Sequence, residues 1–346
     1  MKVILKIEKN PLIKTYQHQA YAFSILGNSE ESKWWMINNF LQLIYAPEYT
    51  TESFNYHTDF LTRQGAFEWE GVSDDTLDLY KIDRLPYIEN GLNQAKYAWL
   101  CLDEFYIKDS IWYQKEHMFH DTLVYGYDNE RKIFYKIGHN KNGIYCTSEI
   151  EYNIFKKSNP CMIKFIGVKN NYKIKIDIVK IRNTLLKYLN VLEENLSDEM
   201  NYKTTYFHRK EKYERSYYGI KACEEINNII VRQIKTNQKI DLRITSLILE
   251  HKKVILECIN ILDKNKIISC EGEIMEYNKV LKYANIYQNL CIKYNLKNDL
   301  KISMKIEEVM KLIILKEKKI LLNICDKLCS QDLNLYNGIK NICYKN

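Results

Sequence analysis

The amino-acid sequence predicts an α+β domain followed by a helical bundle. Three observations lead there. Apolar and polar residues alternate through HDTLVYGYD (120–128) and again through KIFYKI (132–137), a period of two that belongs to strands. From Asp177 onward apolar residues instead recur at spacings of three and four, the period of helices. Charge changes near the same place: residues 1–170 hold 19 Lys and Arg against 22 Asp and Glu, a net of −3, whereas residues 171–346 hold 32 against 22, a net of +10. A chain of 346 residues is long enough for two domains. The expected division is an α+β domain over 1–172 and a helical domain over 173–346.

The elements of the first domain follow in order. AYAFSIL (20–26) reads as a strand and EESKWWMINNFLQLIYA (30–46) as a helix, with Asn28 or Ser29 placed to cap it. A further helix is expected near LPYIENGLNQAK (85–96), then a strand over YAWLCLD (97–103). The hairpin comes next, its two runs joined through Gly126 and Asp128-Asn129, residues with turn chemistry. His120 therefore stands at the mouth of a strand. In the second domain Ile178, Ile181, Leu185, Leu189, Leu192 and Leu196 form one apolar stripe. Similar stripes run through SYYGIKACEEINNIIVRQI, TSLILEHKKVILECINIL, EYNKVLKYANIYQNLCIKY and KIEEVMKLIILKEKKILLNICDKL. A bundle is the simplest way to bury such faces. The polar stretch NLSDEMNYKTTYFHRKEKY (195–213) reads as a long connection.

Composition narrows the function classes. No apolar run approaches the roughly 20 residues of a membrane span, and the charged MKVILKIEKNPLIK start has no small-residue cleavage site, so a cytoplasmic protein with no membrane partner is expected. The ten cysteines are scattered without a Cys-x-x-Cys, and only Cys325 and Cys329 are close, which favours free thiols over disulfides or zinc. The basic half carries no zinc finger, helix-turn-helix or aromatic ladder, so nucleic acid is not an expected partner. A solvated helical surface and an acidic protein partner both remain as readings of its charge.

Candidate chemistry gathers around the histidines. Imidazole can take a proton near neutral pH, but it needs an orienting group and, for covalent catalysis, a nucleophile within hydrogen-bond reach. His120 is the candidate base, and His139 and Asn140, after the second hairpin strand, are the available orienting groups. Ser24 and Ser29 are the hydroxyls nearest the expected helix terminus, where a developing anion is favoured. Gln17 and Gln19, just upstream, could donate to an oxyanion or simply be polar surface. Asp103 and Glu104 end a strand, where clefts open, and could bind an amine or face water. Cys101 lies in an apolar strand and reads as a core thiol. His117 and His120 have a spacing seen in metal sites, yet nothing completes a ligand set, so no metal is expected.

At these residues the chain resembles a known family. HDTLVYGYD with DEFYI upstream, WWMINNFLQL near the N-terminus, and YYGIKACEEI and IDLRITSLILEHKK in the helical half are similar to proteins related to the N-terminal domain of butirosin biosynthesis protein H. These are papain-like, related to the bacteriocin-processing cysteine peptidases, and accompany nonribosomal peptide clusters in antibiotic biosynthesis. The resemblance implies a papain-like fold for the first domain and acyl transfer as the activity. An acyl group held as a thioester on an acidic acyl or peptidyl carrier protein would pass to an amine acceptor, making an amide. No cofactor is implied beyond the phosphopantetheine arm of that carrier. His120 would stand as the general base and Asn140 as its orienting group, while Gly27-Asn28-Ser29 occupies the place where the pattern wants a cysteine. The resemblance also implies an alternative: a non-catalytic accessory module that binds a carrier protein or nascent peptide.

Overall fold

A computed structural model of the chain describes residues 1–47, 54–57, 65–169, 173–193 and 216–343, with side chains as far as residue 330. From the N-terminus the elements are β1 (Lys2–Ile4), α1 (Gln17–Leu26), α2 (Glu30–Asn39), β2 (Leu43–Tyr45), β3 (Phe54–Tyr56), β4 (Phe67–Glu70), α3 (Asp74–Leu79) and α4 (Arg84–Asn93). Then come β5 (Tyr97–Asp103), a 3-10 turn at Glu104–Tyr106, β6 (Phe119–Asp128), β7 (Ile133–His139), β8 (Tyr145–Glu151), α5 (Tyr152–Lys157) and β9 (Cys161–Val168). The remainder is α6 (Ile178–Tyr188), β10 (Tyr217–Tyr218), α7 (Gly219–Lys235), α8 (Leu242–Lys264), α9 (Glu271–Lys297) and α10 (Ile302–Cys343). The chain mixes helix and sheet, and among the described residues no helix is long and apolar enough to cross a membrane. The connection expected at 195–213 lies outside the described residues.

The chain divides into two units. One holds residues 1–32 and 59–174, the other residues 33–58 and 175–346. The single cut expected between 172 and 173 lies beside the last crossing and misses the excursion of residues 33–58 into the second unit.

An antiparallel sheet in the order β4-β9-β5-β6-β7-β8 forms the first unit, with β1 added alongside β6. Its core includes Leu100, Val124, Phe134, Phe155 and Phe165, all buried. The expected strand 97–103 and the hairpin are present. Asp128 closes the hairpin turn by accepting from Glu130 N at 3.1 Å and Arg131 N at 3.2 Å. Gly126 is not in that turn: it lies within β6, where a Cβ would sit 2.5 Å from Val3 O, so glycine lets β1 approach.

Two further expectations are corrected. AYAFSIL belongs to α1 and is not a strand. Ala20, Tyr21, Ala22, Phe23, Ser24 and Ile25 are all buried, and a segment buried on every side carries no period to separate helix from strand. The helix expected over 30–46 ends at Asn39, after which Leu43–Tyr45 forms β2 between β3 and β10. Its partners come from distant sequence, so no local pattern announces them.

The second unit packs α6 to α10 with that small sheet. Ile181 and Leu185 of the expected stripe are buried, but α6 stops at Tyr188 and Leu192 is exposed; Leu196 lies outside the described residues. Asp177 caps α6 by accepting from Lys180 N at 2.9 Å, and Asp241 caps α8 by accepting from Arg243 N at 2.9 Å.

An ion pair lies inside this unit. Lys252 Nζ is 2.9 Å from Glu317 Oε2, with side chains 1% and 0% exposed. Three acceptors meet the three ammonium hydrogens: Glu317, the Tyr188 hydroxyl at 2.6 Å and His251 Nδ1 at 3.4 Å. Tyr188 donates to Glu317 Oε2 at 2.8 Å, and Tyr277 donates to Oε1. His251 uses its other nitrogen to donate to Leu41 O at 3.0 Å, and burial holds its pKa well below the usual imidazole value.

Removing one charge should expose the cost of burying the other. Lys252→Met is expected to destabilise the bundle by about 3–5 kcal/mol, because the Glu317 carboxylate is left uncompensated. Lys252→Met combined with Glu317→Gln, which removes both charges and keeps an acceptor for Tyr277, is expected to be less damaging. Urea unfolding followed by far-ultraviolet circular dichroism measures both. A double variant as unstable as the single one would show that charge burial is not the source of the loss.

Candidate functional site

Strand register assembles a cluster of titratable side chains in the first unit. Pairing of β5 with β6 opposes Leu102 to His120 and Asp103 to Phe119, so Glu104, the residue after β5, meets the histidine at the start of β6. His120 is 46% exposed, and its Nδ1 lies 3.2 Å from Glu104 Oε1. Glu104 accepts on its other oxygen from Ser110 Oγ at 2.6 Å. Asp121 Oδ1 is 3.8 Å from His120 Nε2, while Asp121 Oδ2 accepts from Trp99 Nε1 at 3.1 Å.

Gln17, the first residue of α1, closes the cluster. Its Oε1 accepts from the backbone N–H of His139 at 2.8 Å, and its Nε2 donates to Asp121 O at 2.6 Å. These two backbone partners allow one amide orientation, oxygen toward β7 and nitrogen toward β6. The second Nε2 hydrogen then faces His120 Nδ1 at 3.0 Å and Asp121 Oδ1 at 3.3 Å. Tyr21, one helical turn on, donates to the same Asp121 carbonyl at 3.1 Å. Gly138 makes room: a Cβ there would lie 3.1 Å from Gln17 Oε1.

His120 Nδ1 can serve Glu104 or Gln17, one at a time. With its neutral ring protonated on Nε2, it accepts from Gln17. Protonated, it donates to Glu104, and the Gln17 hydrogen turns to Asp121 Oδ1. The hydrogen bond to Glu104 raises the His120 pKa above the usual imidazole value, with Asp121 adding to the rise and burial opposing it. His139 and His18 shift the other way, each lowered by burial, and His139 Nε2 donates to Lys14 O at 3.0 Å. Burial also lowers Lys136 on β7, against the nearby Glu104 and Asp109 carboxylates.

Several residues singled out from the sequence have other roles. Ser24 lies within α1, fully buried, and shares a 2.9 Å hydrogen bond with the Tyr145 hydroxyl. Ser29 accepts from Ser32 N at 3.1 Å at the start of α2. Neither hydroxyl is the partner of His120. Asn140 is a turn residue whose Oδ1 accepts from Asn142 N at 2.9 Å and Ile144 N at 3.0 Å, so orientation of His120 falls to Glu104 and Gln17. Gln19 is buried in α1. Asp103 accepts from Phe105 N at 3.1 Å and holds His117 Nδ1 at 2.6 Å, with the His117 ring stacked on Phe105 at 4.3 Å.

Asp121, Tyr21, His18, Tyr145 and Lys136 join the cluster without having been singled out. Asp121 follows His120 directly, and strand alternation sends neighbours to opposite faces, yet its Oδ1 reaches within 3.8 Å of His120 Nε2, and Gln17, coming in from a helix, faces both. Among the described residues no three His, Cys, Asp or Glu side chains gather as a metal site. No protein-family model matches the chain, and neither does any curated protein. The arrangement can exchange a proton and bind a polar group through His120 and the carboxylates. At the helix end, where a thiol or hydroxyl would serve covalent chemistry, it offers an amide.

The shifts fix a pH signature. Because the folded pKa of His120 is raised, the stability it gains is fully present below its unfolded value of about 6.5 and is lost as pH rises through the folded value. For His18 and His139, whose folded values are lowered, stability is present above about 6.5 and is lost as pH falls through the folded values. Nuclear magnetic resonance titration of the imidazole protons should give His120 the highest midpoint of the three. Glu104→Gln should bring it down; a His120 midpoint unmoved by that change would remove Glu104 from the cause.

Proposed function

We propose that the first unit is a papain-like domain that binds its ligand without a covalent step, serving as an accessory module for a carrier protein or nascent peptide in peptide natural-product biosynthesis. Gln17 carries this reading. Papain-like enzymes use the positive end of a helix to stabilise a thiolate beside an imidazole. Here α1 begins at Gln17, whose side chain sits against His120 Nδ1 at 3.0 Å. A carboxamide is not a nucleophile at neutral pH, and its two backbone partners hold it in place. The basic excess of residues 171–346, +10, supports an acidic partner such as an acyl or peptidyl carrier protein.

A second reading rests on His120 itself. The ring is 46% exposed, and Glu104 makes it more basic than an isolated imidazole. It could take the proton of an amine attacking a carrier-bound thioester directly, giving an amide and a free carrier thiol with no acyl-enzyme.

Intact-protein mass spectrometry with a small acyl thioester tests both. Wild-type protein should gain no acyl mass. Gln17→Cys should gain one acyl group, because the new thiol would stand at the helix terminus beside His120, and adding His120→Ala should slow that acylation about 100- to 10,000-fold. An acylated wild-type chain would overturn the non-covalent reading, and a folded but inert Gln17→Cys would overturn the papain-like arrangement. Amide formation by wild type that His120→Ala abolishes would decide for the second reading over the first.

A further inference from the structure

The opposite edge of β5 carries a group of sulfur atoms that the histidine cluster does not use. β5 pairs with β9 so that Cys101 faces Cys161 directly, and the register shifts between Trp99 and Cys101. Trp99 pairs with Lys164, so three steps along β9 match two along β5: an extra residue is inserted here. Met162 takes the strain, with φ at 54°, a left-handed conformation that costs a non-glycine residue energy. Its N–H donates to Asp74 Oδ2 at 2.9 Å, and Asp74 lies 3.8 Å from Arg84, so α3 and α4 help pin the bulge. The effect is to turn a thioether onto a thiol: Met162 Sδ is 4.0 Å from Cys101 Sγ.

The three sulfurs form a half-exposed set. Cys101 and Cys161 are free and partly exposed, and Met162 is 50% exposed. The two thiols hydrogen-bond to each other. Three sulfurs at about 2.3 Å from one metal ion in a trigonal plane would lie about 4.0 Å from one another. That is the spacing of Met162 and Cys101. Thiolate and thioether donors select soft ions, whereas zinc sites use thiolate, imidazole or carboxylate and are closed by a fourth ligand.

We infer that Cys101, Cys161 and Met162 form a binding site for a soft monovalent metal ion of the Cu(I) type. Each thiol gives its proton to solvent as the ion binds, so two thiolates and a neutral thioether hold one positive ion, and nothing is oxidised or reduced. A disulfide would use the two cysteines but would leave the strained Met162 without a purpose.

The reduced full-length chain, titrated anaerobically with Cu(I) against a chromogenic Cu(I) chelator, tests this. Wild type should bind one equivalent that Cys101→Ser and Cys161→Ser both lose. Met162→Leu should keep the stoichiometry and bind at least about tenfold more weakly, a difference of about 1.4 kcal/mol. X-ray absorption of the wild-type complex should show a first shell of sulfur alone at about 2.3 Å. The inference fails if either serine variant keeps the equivalent, if Met162→Leu binds as tightly as wild type, or if oxygen or nitrogen dominates the shell. It also fails if wild type resists copper because a Cys101–Cys161 disulfide has formed. Should both serine variants misfold, the Met162→Leu affinity and the wild-type absorption spectrum still decide.

Discussion

Backbone pairing along β6 is the constraint on which the first unit depends. The strand is ten residues long; β7 pairs along one edge, while β5 and then β1 share the other. Buried amides and carbonyls must find partners, so each neighbour's register follows from the pairing. That register brings Glu104 to His120, and through β5 it brings Cys101 to Cys161. Gly126 shows how tightly the constraint acts, since any side chain there would collide with the carbonyl of Val3.

The two units treat buried charge differently. In the second, Lys252 and Glu317 are both removed from water, and two tyrosine hydroxyls and His251 complete their hydrogen bonding. Such a network is stable only when every member is satisfied, which ties together α6, α8, α9 and α10. In the first unit the charges stay partly wet. His120 reaches solvent and has two competing partners, so its protonation changes which hydrogen bond is made. The closed network suits a scaffold, and the open one suits recognition or proton exchange.

Gln17 joins fold and chemistry in a single side chain. It satisfies the backbone of β6 and β7 while presenting its remaining hydrogen to His120. Ser24, one of the hydroxyls an acyl-transfer mechanism would call on, is spent inside α1 on Tyr145. Asp103 and His117 add a second imidazole–carboxylate pair beside the first, braced by Phe105. These contacts favour a preorganised polar surface over a nucleophile awaiting a substrate.

By itself the sequence determined the elements whose period is unambiguous. The hairpin around Asp128, the strand at Tyr97–Asp103 and the helices after Asp177 were legible from the spacing and length of their apolar runs, although β5, β6 and β7 are buried along most of their length. His120 was legible as well, since a histidine opening an alternating strand stands out. Tertiary structure alone decided the rest. AYAFSIL is enclosed on every side, so its period was erased, and with it the fact that Gln17 begins a helix. Residues 43–45 became a strand because Tyr217 and Tyr218 pair with them from far along the chain. Asn140 read as an orienting group because it follows the second hairpin strand, but its own turn takes up its oxygen. Asp121 and the Cys101, Cys161 and Met162 group depend on register and on one bulge, and a sequence read along one strand carries no record of what stands opposite.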